Sequence, residues 1–507
     1  MAKRQKINWY EVDKTVSGLE TNVEHELDVQ REAIPLVFVP GIMGTCLRRA
    51  GTDGSGKGAD GLPNMRWNPS SAMWMLWYVS GTSGAERKAM LVGDRFDANY
   101  LEPNNANPPG DGFAALMEDY CKKFLTPLKV HDWGPLGKIF EFPVYAVGYN
   151  WTDDAKNAGT KLAARIKEII AEAKDVVGLC EKVILITHSM GGLVSRAASE
   201  LAGASGSILG IVHGVQPALG APAAYWRIKA GFEGFGMTSR VLGSSGEKVT
   251  PVLGNIPGGL ELLPNKLHRT NAGARQWLTV TENGVATLAF PKADPYKEIY
   301  KVKAVVKPKA GEKPSQNAYW GLVDPNLLDP GNVAPEAPNA RDRMDASTLS
   351  SDPWAAFLTT LDVAERFHDA LGKKTHSRTF CVRGVGHKTA DVIEMRVESN
   401  WVRSDPYPAR GFRGFFTNAK GKSMQAVLQD PAGDGDATVV RSSAVALDAP
   451  GKQMPGDRAI EVEHQPAYEN ADVQAFAIEA IVALCKMRYE DRRHPLGDFP
   501  APGAGTT

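Results

Sequence analysis

One serine of this chain lies where a nucleophile could be presented. Ser189 closely follows the apolar run of residues 183–186 and precedes Gly191 and Gly192. A strand, a sharp turn and a helix in this order are typical of a nucleophile elbow, which exposes a serine hydroxyl at the edge of a sheet. Thr187 occupies a position that is usually glycine, and its branched side chain crowds the turn. The alternative is a strand–glycine–helix junction in which Ser189 only caps the helix.

A serine hydroxyl is a poor nucleophile at neutral pH, so Ser189 would need a histidine base and a carboxylate that orients the base. In proteins with such an elbow, the acid and then the histidine follow the serine along the chain. Asp434 and Asp436 lie in a Gly-rich turn, and His464 is the only histidine between that turn and the C-terminal tail. These residues alone leave both aspartates open as the acid. His188 is expected to point to the opposite side of the chain from Ser189.

Two backbone N–H groups could bind a developing oxyanion. Met190 directly follows the serine, which is the usual place of the first donor. The loop of residues 40–45 follows an early apolar run and offers a second donor at Met43, where flanking glycines let N–H groups turn inward. The alternative is a plain turn after a strand.

The sequence predicts no metal site and no cofactor. Asp434 and Asp436 form an Asp-Gly-Asp turn, which sometimes binds calcium, but the spacing after Asp430 does not match an EF-hand loop. The five cysteines are widely scattered without a C-x-x-C pair, which argues against both zinc and a disulfide framework.

Composition excludes several classes of protein. The chain has 507 residues and equal numbers of acidic and basic side chains, so no nucleic-acid partner is predicted. The basic N-terminus is not followed by an apolar segment, and no apolar run approaches the ~20 residues that span a bilayer. We therefore expect the protein to be cytoplasmic in the producing cell, and any export to need no signal peptide.

Alternating strand and helix patterns over residues 140–214 predict a parallel sheet with right-handed crossovers. The pattern is lost after Pro217 and resumes near residue 379, which indicates a large insertion above the sheet. The predicted parts are an N-terminal arm (1–34), a core in two parts (35–216 and 376–490), a lid-like insertion (51–110), a cap insertion (217–375) and a flexible tail (491–507).

Residues 65–80 contain an unusually dense cluster of aromatic and methionine side chains, including Trp74 and Trp77. Such a cluster could cover an apolar site and contact a lipid surface, because tryptophan and tyrosine favour the membrane interface. The alternative is internal packing of the cap.

Six short motifs occur in one order along the chain: Val-Pro-Gly-Ile-Met-Gly (39–44), Tyr-Asn-Trp (149–151), Thr-His-Ser-Met-Gly (187–191), the segment 214–222 ending in Gly-Ala-Pro, Leu-Leu-Pro (262–264) and Gly-Asp-Ala-Thr-Val (435–439). They resemble the motifs of lecithin:cholesterol acyltransferases and related lipases, with Asn150 in place of the family's aspartate. Glycosyl-phosphatidylinositol deacylase-like lipases and the lipase effectors of bacterial type VI secretion share much of this pattern.

The resemblance implies an α/β-hydrolase fold, with a mainly parallel central sheet, helices on both faces and a large cap, and it favours Asp436 as the acid. It implies a serine lipase or phospholipase that acts on lipid esters at a membrane surface or micelle, as an antibacterial effector with an immunity or secretion-apparatus protein as partner. Two alternatives stay open. The same acyl-enzyme could transfer its acyl group to an alcohol, or the chain could be an inactive scaffold that binds lipid or a protein.

Overall fold

The computed structural model describes residues 31–68, 70–93, 96–97, 113, 116, 118–232, 243, 245–282, 284–304, 319–331, 352–398, 413–417, 423–429, 431–447 and 456–493. Nearly all of the predicted arm (1–34) and tail (491–507) lies outside these residues.

The strands are β1 Glu32–Ala33, β2 Leu36–Val39, β3 Leu47–Arg49, β4 Met65–Trp67, β5 Phe96–Asp97, β6 Phe140–Glu141, β7 Val144–Ala146, β8 Val183–His188, β9 Ile208–Gly214, β10 Leu278–Glu282, β11 Val285–Phe290, β12 Thr379–Val385, β13 His387–Thr389, β14 Ile393–Glu398, β15 Arg413–Thr417, β16 Ser423–Leu428, β17 Gly433–Gly435 and β18 Gly456–Glu461.

The longer helices are α1 Ala72–Gly81, α2 Gly84–Leu91, α3 Ala155–Val177, α4 Gly191–Glu200, α5 Pro222–Ala230, α6 Gly246–Leu253, α7 Pro353–Leu371 and α8 Ala471–Arg493. Shorter helical turns include Glu118–Tyr120, Cys121–Leu125, Thr126–Lys129, Gly134–Lys138, Ser205–Ser207, Pro257–Leu260, Tyr296–Tyr300, Pro325–Leu327, Arg441–Ala444 and Ala467–Glu469.

A six-stranded sheet forms the centre of the molecule. Its order is β18-β12-β9-β8-β2-β7, and every neighbouring pair of strands is parallel. Parallel neighbours need crossover connections, and α3 and α4 provide those between β7, β8 and β9. The alternation of strand and helix predicted over residues 140–214 is thus present.

Both faces of this sheet are buried under helices. Successive residues of a strand point to opposite faces, so Val37 and Leu185 join one apolar cluster, while Phe38 and Ile186 join another. The first cluster includes side chains of α3 and α4, and the second includes side chains of α8. Coverage of both faces explains why all six residues of β8 are buried and its first four are apolar.

Helix α3 follows from local sequence signals. The Asp154 side chain accepts a hydrogen bond from the Lys156 backbone N–H at 2.8 Å, which caps the first turn. Leu162 and Ile166 are on its buried face, as their spacing predicts. Gly178, with φ of +88°, ends the helix.

A second sheet joins two distant parts of the chain. Its order is β11-β10-β14-β16-β15, and the parallel pairing of β10 with β14 connects segment 278–290 to segment 393–428. The latter segment interrupts the C-terminal part of the core between β12 and β18. Long-range pairing of this kind has no local sequence signal.

Candidate active site

Ser189 lies in a strained turn between β8 and α4. Its φ is +52°, in the left-handed region that side chains other than glycine rarely adopt. Its backbone N–H donates to the Gly214 carbonyl on the neighbouring strand at 3.0 Å, which fixes the turn against the sheet. A side chain at Gly191 would collide with the backbone carbonyl oxygens of Val39 and Pro40. The strand–turn–helix geometry that the sequence predicts is therefore present.

Thr187 fits this turn because it is still part of β8. Its hydroxyl lies 2.9 Å from His213 Nδ1, and its carbonyl accepts a hydrogen bond from the Tyr468 hydroxyl at 3.0 Å. The left-handed conformation falls on Ser189 rather than on Thr187. A β-branched residue is thus accommodated two positions before the serine.

The structure brings Ser189, His464 and Asp436 into one chain of hydrogen bonds. His464 Nε2 lies 2.8 Å from Ser189 Oγ, and His464 Nδ1 lies 2.8 Å from Asp436 Oδ2. The Asp436 side chain is buried, and 11% of the His464 side chain is exposed. Each of the three follows a different strand, since Ser189 follows β8, Asp436 follows β17 and His464 follows β18.

The contacts of Asp436 assign the tautomer of His464. Asp436 Oδ1 accepts the backbone N–H groups of Thr438 at 2.9 Å and Val439 at 2.6 Å. Oδ2 faces His464 Nδ1, and because a carboxylate oxygen only accepts, His464 Nδ1 donates. In the neutral imidazole, Nε2 then accepts the Ser189 hydroxyl proton. This is the arrangement in which a histidine can act as a base toward serine.

Asp434 has a different environment from Asp436. Its side chain is exposed, and its Oδ1 accepts the Gly386 backbone N–H at 2.8 Å. In an extended segment, side chains two positions apart point to the same face. The strand pattern alone would therefore allow Asp434 and Asp436 to point the same way. Only Asp436 contacts His464, and the left-handed φ of +71° at Ala437 turns the following backbone so that two N–H groups reach Asp436 Oδ1.

The two predicted oxyanion donors lie on segments that flank the serine. Met43 has a left-handed φ of +64°, and its carbonyl accepts a hydrogen bond from Trp67 Nε1 at 2.7 Å. Met190 is at the start of α4, where helix N–H groups lack partners within the helix. No residue within the described ranges accepts a hydrogen bond from the backbone N–H of Met43 or Met190.

The expectation that His188 points away from the site is wrong. Its ring lies 5.3 Å from the His464 ring, centre to centre, and its two nitrogens contact the Tyr120 hydroxyl and the His464 carbonyl. The left-handed turn at Ser189 ends the alternation of the extended strand, so the two neighbours can face one site. No sequence signal identifies Tyr120, which lies 68 residues before His188.

A cavity of about 560 Å³ opens beside Ser189 and His464. Its wall is largely apolar, and residues of several segments contribute to it: Ile42, Phe124, Ile228, Leu253, Leu262 and Val439. Segment 217–375, which the sequence predicts to be a cap, supplies Ile228, Leu253 and Leu262. The space beside the serine therefore suits an extended apolar group.

The chain resembles known proteins in structure rather than in sequence. No protein-family model and no curated protein matches it. Among solved structures, one chain of the Tle4–Tli4 complex matches with a TM-score of 0.64 and 22% identity, over 90% of this chain and 99% of that chain. The chain has the α/β-hydrolase fold. Phospholipase PlaB from Legionella pneumophila aligns with a TM-score of 0.18 and 12% identity, over 79% of this chain and 80% of that chain, and this likeness is too low to support an argument.

The α/β-hydrolase fold explains where the site lies. In open sheets of this type, ligands bind beyond the carboxyl ends of the strands. The loop that carries Met43 follows β2, Ser189 follows β8 and His464 follows β18, so all three meet at that edge. The narrower assignment to relatives of lecithin:cholesterol acyltransferase stays a prediction.

The two tryptophans of helix α1 differ in exposure, although their ring centres lie only 6.1 Å apart. Trp74 faces inward, where it stacks on Tyr78 at 4.8 Å between ring centres and donates through Nε1 to the Met65 carbonyl at 3.1 Å. Trp77 is 38% exposed, beside Met73 at 81% and Leu76 at 68%. Neither tryptophan lines the cavity, whereas Met75 of the same helix does.

No group of three or more histidine, cysteine, aspartate or glutamate side chains within the described ranges could hold a metal ion. The described helices likewise include none that is long and apolar enough to cross a bilayer.

Proposed function

We propose that this protein is a serine hydrolase that cleaves carboxylic esters of lipids, as a lipase or phospholipase. In this proposal Ser189 is the nucleophile, His464 is the general base and then the general acid, and Asp436 orients His464. The observation that supports it most is the continuous hydrogen-bonded series from Asp436 through His464 to Ser189, with both links at 2.8 Å.

The reaction would proceed through an acyl-enzyme. Ser189 Oγ attacks the ester carbonyl carbon while His464 Nε2 takes the hydroxyl proton, and the carbonyl oxygen becomes an oxyanion. The backbone N–H groups of Met43 and Met190 would stabilise this oxyanion. As the tetrahedral intermediate collapses, His464 returns the proton to the leaving alcohol. Water, activated by His464, then releases the carboxylic acid and restores Ser189.

The cavity supports a lipid rather than a polar substrate. Its volume of about 560 Å³ and its mostly apolar wall suit an acyl chain next to the reacting ester. Exposed apolar side chains on α1, namely Met73, Leu76 and Trp77, lie on the helix that also contributes Met75 to the cavity wall. We propose that this surface contacts a membrane or micelle and brings the cavity to its substrate.

Two variants test the proposal directly. Ser189→Ala and His464→Ala should each lower kcat for a short-chain p-nitrophenyl ester by about 10³-fold or more, because they remove the nucleophile and its base. Asp434→Ala is the matched control, since that exposed carboxylate contacts Gly386 rather than His464. A His464→Ala enzyme with near-normal turnover would contradict the assignment. A wild-type protein without ester hydrolysis on a panel of lipids would favour the inactive scaffold.

The acceptor of the acyl group needs a separate measurement, because hydrolysis and transfer share the acyl-enzyme. Product analysis by mass spectrometry, with a phospholipid donor and a long-chain alcohol present, distinguishes free fatty acid from a new ester. We expect free fatty acid. A new ester as the main product would identify an acyltransferase of the same fold.

We further propose that the protein is an exported antibacterial effector with a dedicated protein partner. The support is the similarity to a solved structure that is itself a complex of two proteins, Tle4 and Tli4. A partner that protects the producing cell should block ester hydrolysis at a one-to-one ratio. The test is titration of the purified enzyme with candidate proteins from the producing cell, and the absence of any stoichiometric inhibitor would contradict this part of the proposal.

A further inference from the structure

We propose that His188, held by Tyr120, is a positioning residue that fixes the backbone of His464 for catalysis. This inference rests on the proposed function, because it assigns a role within the same reaction. His188 is the last residue of β8, next to the nucleophile, and only 1% of it is exposed.

The contacts of His188 define its protonation. Its Nε2 lies 2.8 Å from the His464 carbonyl oxygen, which can only accept, so Nε2 carries the proton and donates. Its Nδ1 lies 2.8 Å from the Tyr120 hydroxyl, so in the neutral ring Nδ1 accepts and Tyr120 donates. Burial lowers the pKa of His188 to about 3, which keeps this neutral tautomer at physiological pH.

His188 completes the support of the histidine backbone. The His464 backbone N–H donates to the Asp436 carbonyl at 2.8 Å, and its carbonyl accepts from His188. Both peptide groups around His464 are therefore held, one by the acid's own backbone and the other by the neighbour of the nucleophile. With the imidazole also bound to Asp436 and Ser189, the distance between base and nucleophile has little freedom to change.

Neutral His188 also has an electrostatic consequence. Its ring centre lies 5.3 Å from that of His464, which becomes positively charged when it accepts the serine proton. A second positive charge at this distance would oppose that step. The described residues facing His188 are His464, Tyr120 and Tyr468, and none of them is a carboxylate that would favour protonation of His188.

The arrangement also accounts for Gly41. A Cβ atom at this position would lie 2.8 Å from His188 Nδ1 and 3.0 Å from Ser189 Cβ. Glycine thus leaves the space in which the His188 ring meets the Tyr120 hydroxyl. The Pro40–Gly41 turn then has a second role besides shaping the predicted oxyanion loop.

The test compares His188→Phe, His188→Gln and Tyr120→Phe with the wild type on a soluble short-chain ester. His188→Phe removes the donor to His464 and should lower kcat about 10- to 100-fold. The change in KM should be small, because a phenyl ring fills much of the space that the His188 ring occupies in the cavity wall. His188→Gln keeps an N–H donor and should recover part of the lost kcat. Tyr120→Phe should give a smaller loss of kcat.

A spectroscopic readout separates positioning from general stability. The hydrogen-bonded proton between His464 Nδ1 and Asp436 gives a low-field proton NMR resonance, which should broaden through faster exchange in His188→Phe and Tyr120→Phe. The matched control is His268→Phe, which replaces another buried neutral histidine that contacts none of the three reacting residues. It should leave kcat and the resonance unchanged even if it lowers the melting temperature.

The results that would overturn the inference are separate from those that concern the proposed function. Wild-type kcat in His188→Phe, or an equal loss in His188→Gln and His188→Phe, would contradict the positioning role. If His188→Phe does not fold, Tyr120→Phe provides the test. A Tyr120→Phe enzyme with wild-type kcat and a sharp resonance would contradict the positioning role. Failure of the proposed function would instead appear as an inert wild type, or as full activity in Ser189→Ala.

Discussion

The choice between two neighbouring aspartates rests on contacts of single atoms. Asp436 Oδ2 lies against His464 Nδ1, and its Oδ1 accepts two backbone N–H groups, whereas Asp434 contacts the Gly386 backbone at the surface. An asparagine at position 436 could present its NH₂ group to His464 and so stabilise the tautomer with its proton on Nε2. That tautomer cannot accept a proton from Ser189.

We therefore predict that Asp436→Asn lowers kcat on a soluble ester by about 10⁴-fold, whereas Asp434→Asn changes it less than about threefold. Steady-state kinetics of the two variants, with circular dichroism to verify folding, is the measurement. If Asp434→Asn were the more damaging of two folded variants, the assignment of the acid would be wrong.

At the scale of elements, helix α1 presents two sides that differ in exposure. Met73, Leu76 and Trp77 are spaced at three and four residues and form the exposed apolar side, while Trp74 packs on Trp67 and Tyr78. Lipid contact should depend on the first group alone. Loss of Trp74 should instead disturb the packing beside Trp67, which holds the Met43 carbonyl.

We predict that changing Met73, Leu76 and Trp77 together to serine lowers activity on phospholipid vesicles about tenfold or more, because less apolar area then enters the lipid interface. The kcat on a soluble ester should stay unchanged. Trp74→Ser is the comparison and should lower activity on both substrates. The measurement is vesicle hydrolysis alongside vesicle co-sedimentation. Equal losses on vesicles and on the soluble ester in the triple variant would show that this side of the helix packs internally.

Elements with local signals could be predicted from the sequence, and those built by distant pairing could not. The apolar run before Ser189 and the glycines after it define β8 and α4, and the periodicity from residue 155 defines α3. In contrast, β10 pairs with β14 more than 100 residues away, which no local pattern specifies. Tyr120 reaches the site for the same reason, through tertiary packing, so its contact with His188 could not be predicted.

The whole molecule contains several histidines that burial keeps neutral. Burial lowers the pKa of His188 and His268 to about 3 and that of His368 to about 4, and it holds the pKa of His213 well below its usual range. In the unfolded chain these groups titrate near ~6.5. Between these values the unfolded state binds protons that the folded state does not, so stability falls as pH falls.

One buried carboxyl acts in the opposite direction. Burial raises the pKa of Glu261 well above its usual range, with the nearby Asp154 adding to the effect. Between ~4.5 and the raised pKa, the folded state keeps a proton on Glu261 that the unfolded state releases. The contribution of Glu261 to the free energy of unfolding therefore decreases as the pH rises through this range. The buried histidines outnumber this carboxyl, so unfolding takes up protons on balance near pH 5.

We accordingly predict that the free energy of unfolding decreases as the pH falls from 6 to 5, by an amount on the order of a few kcal/mol. Urea unfolding at a series of pH values measures this slope, and His268→Phe should reduce it by the contribution of one proton. A free energy of unfolding that stays constant or increases between pH 7 and pH 5 would contradict the burial of these histidines in the neutral form.

The central claim is that Ser189 is an activated nucleophile, and reaction with a fluorophosphonate tests it most directly. The reagent phosphonylates a serine only where a base removes its proton and an oxyanion site receives the developing charge. Intact-protein mass spectrometry of the full chain, followed by peptide mapping, should show a single adduct on Ser189 in the wild type. The same adduct should be absent from Ser189→Ala and much slower to form in His464→Ala. A wild-type protein that stays unmodified, or an adduct on another residue, would contradict this claim.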